Sequence, residues 1–217
     1  MKNQQGGFTL VEIAIVLVII GLLLGGVLKG QELINSAKVK NLANDFRTIP
    51  VFIYGYQDKF KRLPGDDPNV QTHLGATANA ASGPTGFTAG NGIIEGKWDS
   101  KDVKDENVLF WQHVRLAGLA AGSTDFSDST KAGLPSNAEG GQIGLQMTAP
   151  IQGLSGTYYL CSTGINNKLA LQLDTTLDDG SPDKGTLRAQ EGSSTDGGKG
   201  GASSYADGKS YTVCVAF

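Results

Sequence analysis

A run of 21 residues from Phe8 to Leu28, FTLVEIAIVLVIIGLLLGGVL, carries a single charge, Glu12. At about 1.5 Å of rise per residue it reaches about 30 Å as a helix, the thickness of a bilayer's hydrocarbon core. A segment in hydrocarbon must satisfy its own backbone hydrogen bonds, so helix is the only form open to it. A secretory signal peptide is the competing reading. Its apolar region, however, spans about 7 to 15 residues and closes on a small-residue cleavage site, whereas this run is longer and continues into further helical pattern. A retained single-pass anchor is therefore expected. Lys2 precedes the run and Lys29, Lys38 and Lys40 follow it, so the basic-end rule orients it weakly, but a polar domain of this size translocates largely regardless of charge.

Glu12 is the anomaly in the run. A carboxylate at this depth costs about 2.5 to 3.5 kcal/mol on insertion scales and demands a partner. The run contains no Lys, Arg or His. The Gly7–Phe8 junction offers one, because a cut there would place a new ammonium on Phe8 at the head of the helix. That amine can meet Glu12 at i, i+4 within one chain, or meet the carboxylate of a neighbouring chain in a packed array.

These residues, GGFTLVEIAIVLVIIGLLL, closely resemble the class III leader of type IV pilins and of the pseudopilins of type II secretion. The resemblance implies that a prepilin peptidase cuts between Gly7 and Phe8 and methylates the Phe8 amine. It implies that Glu12 guides docking by pairing with a neighbour's amine, and that the apolar helix becomes the core of a homo-oligomeric filament. The precursor would sit in the bacterial inner membrane with its head in the periplasm. It would engage an inner-membrane assembly platform and secretin machinery, and end in a pilus, a periplasmic filament or at the cell surface. Type IV pilin and secretion pseudopilin both fit. A membrane-anchored ligand-binding or adhesive module that never polymerises is the rival, and it would keep the anchor without needing Glu12.

Beyond Lys29 the helical pattern continues. Val39, Leu42, Phe46, Ile49, Ile53, Tyr56 and Phe60 recur at alternating spacings of three and four, the stripe of a helix with one buried face. One helix from Phe8 to about Phe60 is expected, its second half laid on a globular head, with Pro50 bending it by removing a backbone bond. Gly21, Gly25, Gly26 and Gly30 form G-x-x-x-G pairs that either permit close helix packing or weaken the helix. Pilins often carry a helix-breaking proline near the position of Lys29, and this chain does not. The expected organisation is leader 1–7, membrane and filament-core helix 8–28, helix entering the head 29–60, and head 61–217.

Within the head, the Gly-rich stretch from about Asn69 to Gly96 is expected to lack regular structure. A second helix is expected from Lys101 to Ala121 with Ser100 as its cap. The segments QIGLQMT, TYYLCST, NKLALQL, GTLRA and SYTVCVAF read as strands, and residues 191–209 as a mobile loop. An antiparallel sheet packed on the long helix makes the fold α+β. KFKRLPGDDP, NVLFWQHVRLAG and LDDGSPDKGTLRA also resemble segments of prepilin-type proteins.

Cys161 and Cys214 are the two cysteines, in separate strand-like runs and at no metal or redox spacing. A bridge between them would add about 4 kcal/mol by loop entropy and would require an oxidising compartment. Two buried free thiols are the alternative. Asp174, Asp178, Asp179 and Asp183, spaced by Gly180 and Pro182, can turn several oxygens toward Ca²⁺, with Asp66 and Asp67 a smaller set. Solvated turns are the alternative here, and no other cofactor is expected. The formal charge of -3, with basic residues scattered singly, argues against a nucleic-acid partner. With only His73 and His113 available, no nucleophile, base and orienting acid assemble, and His113 beside Trp111 reads as a packing residue. Gly208-Lys209-Ser210 and Gly90, Gly92 and Gly96 miss the phosphate-loop and dinucleotide spacings. The chain is expected not to be an enzyme.

Mature protein is expected to begin at N-methylated Phe8, and Gly7→Val to block maturation. Intact-mass measurement of membrane-extracted protein checks this, and a mature mass that still includes Met1 to Gly7 contradicts it.

Overall fold

The structure is a computed structural model that describes residues 9–83 and 89–217. Leu10–Phe60 is one helix, α1. The chain divides into two compact units, Met1–Lys38 and Val39–Phe217. In the first unit the large apolar residues of α1 are all open, from 46% exposed at Ile13 to 91% at Leu10. A helix apolar on every side has no protein core to turn toward. In the second unit α1 becomes one-sided. Val39, Leu42, Phe46, Ile49, Ile53 and Tyr56 are buried, as the three-and-four spacing requires, while Val51 and Tyr54 stay exposed. Pro50 lies inside α1 without ending it; what it removes is the N–H that would answer the Phe46 carbonyl.

The head adds α2 (Val70–Leu74), α3 (Glu106–Leu116), α4 (Ser129–Ala132), β1 (Ile143–Gln146), β2 (Tyr159–Asn166), α5 (Asn167–Leu177), β3 (Leu187–Glu191) and β4 (Ser210–Ala216). The four strands form one antiparallel sheet in the order β1-β2-β4-β3. Alternation along the strands gives the sheet two apolar faces. Leu145, Leu160, Val213 and Leu187 join the α1 stripe and Phe110 and Val114 of α3 in the main core. On the opposite face Tyr159, Cys161, Cys214 and Ala216 pack with Trp98, Ile151 and Leu154 in a smaller cluster. Cys161 and Cys214 stand directly opposite each other on β2 and β4 and are joined by a disulfide, which ties the last strand to the sheet centre.

Four expectations need correction. NKLALQL is not a strand but most of α5. Its leucines alternate, yet Leu169 and Leu173 are buried while Leu171 between them is 45% exposed, which is helical spacing. Asn166 caps the helix by accepting from the Leu169 N–H at 3.1 Å, a start signal that outranks the alternation. The helix around Trp111 is shorter than 101–121, with Asp105 rather than Ser100 at its N-cap. Ser100 instead gives its hydroxyl to Asp105 at 2.5 Å. The stretch 69–96 contains one helical turn, α2. Residues 191–209 are pinned rather than loose. The Gln190 amide reaches the carbonyls of Asp196, Lys199 and Gly200 at 3.0, 2.8 and 3.1 Å and accepts from the Asp196 N–H at 2.8 Å. Trp98 Nε1 holds Thr195 from outside the loop at 2.9 Å.

Gly144 of β1 faces the Trp98 carbonyl so closely that a Cβ would overlap that backbone, whereas Gly200 has open space. Gly144→Ala is expected to destabilise the head by about 3 kcal/mol or to prevent its folding, as overpacking against fixed backbone does. Gly200→Ala should be close to neutral. Thermal unfolding of the two variants in detergent checks the difference, and equal midpoints contradict it.

Candidate functional site

Two regions carry the chemistry: the start of α1 and a buried polar centre in the head. At the start of α1, Thr9 precedes the first helical residue and Glu12 is the third within it. The Glu12 Oε2 atom accepts from the Thr9 backbone N–H at 2.8 Å and from the Thr9 hydroxyl at 2.7 Å. The Thr9 Oγ1 accepts in return from the Glu12 N–H at 3.3 Å. This reciprocal pair is a capping box, in which each side chain satisfies an amide that the first helical turn leaves unpaired. Glu12 therefore has hydrogen-bond partners inside its own chain, on one of its two carboxylate oxygens. The signal was present in the sequence as Thr-x-x-Glu, Thr9 to Glu12, and Thr9 is the residue that charge arithmetic missed. The other carboxylate oxygen, Oε1, takes no donor from the described residues. Gly7 and Phe8 lie outside those residues.

Along the rest of the anchor, Gly21, Gly25, Gly26 and Gly30 have no atom within 4 Å of where a Cβ would stand. α1 is long and apolar enough to cross a membrane, with none of its apolar window buried. Lipid or other helices must cover that surface.

The head's polar centre is built on the chain leaving α1. The Gly65 N–H donates to His113 Nδ1 at 2.8 Å, and His113 Nε2 lies 2.8 Å from the Asn79 carbonyl. His113 thus accepts at one nitrogen and donates at the other, as the neutral ring does. Burial pushes its pKa down to about 4, opposed by the Asn79 bond and by Asp67. His113 is a structural strut, in line with the packing role read from its place beside Trp111. Asp67 is buried and accepts from Tyr56 Oη at 2.8 Å and from the Asn69 N–H at 2.9 Å, with His73 Nδ1 at 2.6 Å. Asp66 turns away from it to the backbone N–H groups of Gly90, Asn91 at 3.2 Å and Gly92 at 2.7 Å. Asp66 and Asp67 therefore serve separate sets of protein donors.

Of the second acidic set, Asp174, Asp178 and Asp179 bring ligand atoms within 4.8 Å of one another, and Asp183 is not in the group. Protein donors already hold these carboxylates. Asp174 takes Tyr205 Oη at 2.6 Å and the Gly180 N–H at 3.0 Å. Asp178 takes the Leu187 N–H and Asp179 the Ser181 N–H, each at 2.8 Å. Burial raises the Asp174 pKa against those two bonds. These bonds shape the turn that leads into β3, and among the described residues one oxygen of Asp178 and one of Asp179 take no donor.

Residues 2–28 match the family model of the prokaryotic N-terminal methylation motif. The chain therefore carries the prepilin-type signal of type IV pilins and pseudopilins, on a protein whose long N-terminal helix and antiparallel head sheet are pilin-like in arrangement. That motif marks a structural protein, anchored in the membrane as a precursor by the apolar start of α1. No curated protein and no solved structure matches the chain.

His113 gives a prediction with a definite sign. Its folded pKa lies below the ordinary 6.5. The unfolded chain therefore takes up the proton first, and stability present above pH 6.5 is lost as pH falls toward 4. His113→Gln is expected to lower the unfolding midpoint at neutral pH and to remove the His113 share of its pH dependence over this window, so that its slope differs from that of the wild type. Thermal melts across the window check it, and an unchanged slope contradicts it.

Proposed function

We propose that this protein is a structural subunit of an extracytoplasmic helical filament of the type IV pilus class. In this reading residues 1–7 are removed by prepilin peptidase, the Phe8 amine is methylated, and mature subunits pack through α1. The observation that carries the proposal is the conjunction at the helix start. A carboxylate that already closes its own capping box keeps a second oxygen that no described residue takes, at the head of a helix whose apolar surface from Leu10 to Leu28 is exposed. An anchor needs only the apolar surface. Docking in register needs an anion at a fixed height, and the methylated amine of a neighbouring subunit is the cation of matching depth. Neighbouring α1 helices would cover the apolar surface, with the platform and secretin machinery extracting subunits from the inner membrane.

The secretion pseudopilus is the same assembly with other machinery, and the features above are common to both. An anchored module that does not polymerise is separated from both by Glu12. In that protein Glu12 would be a helix cap and nothing more.

That difference sets the test. Glu12→Gln keeps an oxygen to accept from Thr9 and removes the charge, whereas Glu12→Ala removes both. Loss of one member of a buried ion pair costs about 3 to 5 kcal/mol, while loss of a cap costs about 1 kcal/mol. Both variants are expected to insert as stable membrane monomer and to lose assembled filament in a strain carrying the cognate machinery. Sheared filament and membrane monomer, measured separately, check it. Wild-type filament yield from Glu12→Gln would reduce Glu12 to a cap and favour the anchored module.

A further inference from the structure

The Asp66 and Glu106 carboxyls form a buried pair that the filament reading does not use. Asp66, 2% exposed, gathers the N–H groups of Gly90, Asn91 and Gly92. Glu106, the first residue of α3 and fully buried, accepts the Glu95 N–H on Oε2 at 2.7 Å. The two carboxyls thus hold the two ends of one short segment, 90–95. That segment delivers Ile94, 1% exposed, into the main core. Asp66 also lies close enough to Glu106 for its charge to push the Glu106 carboxyl up. Glu106 Oε1 is buried and is reached by no donor among the described residues.

Two interacting carboxylates, each without a cation among the described residues, cannot both carry full charge in a site closed to water. The acidic neighbours make this worse. Glu95 lies on the clamped segment and adds its negative charge to both members. Asp105 at the N-cap of α3 and Asp67 beside Asp66 carry the same sign. His113, two turns along α3, is held neutral by its bonds to Gly65 and Asn79. A proton on Glu106 Oε1 resolves the conflict. It turns the orphan acceptor into a donor to Asp66 and leaves Asp66 ionised to receive its three N–H groups. Which member carries the proton follows from those groups, since three backbone donors stabilise charge on Asp66 and one stabilises it on Glu106.

We propose that Asp66 and Glu106 share a single proton, and that this proton is the latch holding segment 90–95, and with it Ile94, against the start of α3. Burial first, then Asp66 and Glu95, push the Glu106 pKa up to about 8, against the Glu95 N–H bond that lowers it. The unfolded chain gives up its proton near 4.5. The latch therefore contributes stability that is complete below pH 4.5, declines as pH rises, and is gone above about pH 8. The head would loosen at this one segment in alkaline surroundings while the sheet and the disulfide stay intact.

The test uses the full chain in detergent. Above the window in which His113 acts, the wild-type unfolding midpoint is expected to fall as pH rises from about 6.5 to about 9. The backbone amides of Gly92 and Glu95 should lose exchange protection, corrected for intrinsic rate, above about pH 8. Glu106→Gln offers Asp66 an amide donor that does not titrate, so its midpoint should vary less with pH and its Gly92 and Glu95 amides should stay protected at alkaline pH. The carboxyl carbon signal missing from Glu106→Gln spectra identifies Glu106, and in the wild type it should titrate near pH 8. Titration of that signal in the ordinary carboxylate range overturns the proposal. So does a Glu106→Gln profile that follows the wild type. If Glu106→Gln does not fold, the wild-type amide exchange decides alone, and protection at Gly92 and Glu95 that is flat across pH overturns it.

Discussion

Helix α1 has to satisfy two different surroundings along one continuous hydrogen-bonded backbone, and the rest of the molecule is arranged around that demand. From Leu10 to Leu28 the helix is apolar on every side and none of the described residues buries it. From Val39 onward the same helix shows one apolar stripe, and the head closes on that stripe. Burying about 25 cal/mol of stabilisation per Å² along it is what allows a small sheet and short helices to share a core. Polarity cannot enter the first half without compensation. The one carboxylate there sits at the helix's amino end, where it caps its own first turn and faces the positive end of the helix dipole.

The head repeats this logic with buried charge. Leaving α1, the chain passes through Gly65, Asp66 and Asp67. These three take bonds to His113, to the 90–92 turn, and to Tyr56 with His73. Loops that carry little apolar surface of their own are thereby fixed to α1 and α3 by polar groups with satisfied partners. Such a network specifies one arrangement, because any misplacement leaves a desolvated donor or acceptor. The disulfide and the Gln190 clamp do the same on the far side of the sheet, where the Gly- and Ser-rich 191–209 segment adds polar holds to the apolar contacts of Ala202 and Tyr205.

What the sequence made legible follows from periodicity and cost. The α1 stripe, the runs around β1, β2, β3 and β4, and the anchor were readable because each repeats a period or exceeds a length. Glu12 stood out in the sequence because charge is expensive in hydrocarbon. Its Thr9 partner was equally visible as a capping box but was passed over in favour of a charge partner. α5 was misread because three alternating leucines imitate a strand, and only the Asn166 cap distinguishes it. The packing role of His113 was legible, but Glu106 and the partners that Asp66 and His113 take were not. These residues lie far apart in sequence, and nothing in a Gly-rich stretch such as 89–96 says which carboxylate its amides will face.

The central claim is that α1 is a surface made to be covered by copies of itself rather than by lipid alone. A photo-crosslinking side chain in place of Ile19, an exposed residue inside the apolar run, tests it directly in cells that carry the cognate assembly machinery. The account predicts a ladder of homo-oligomers that disappears when the machinery is removed. Crosslinks confined to lipid or to a different protein, with no ladder when the machinery is present, would contradict it.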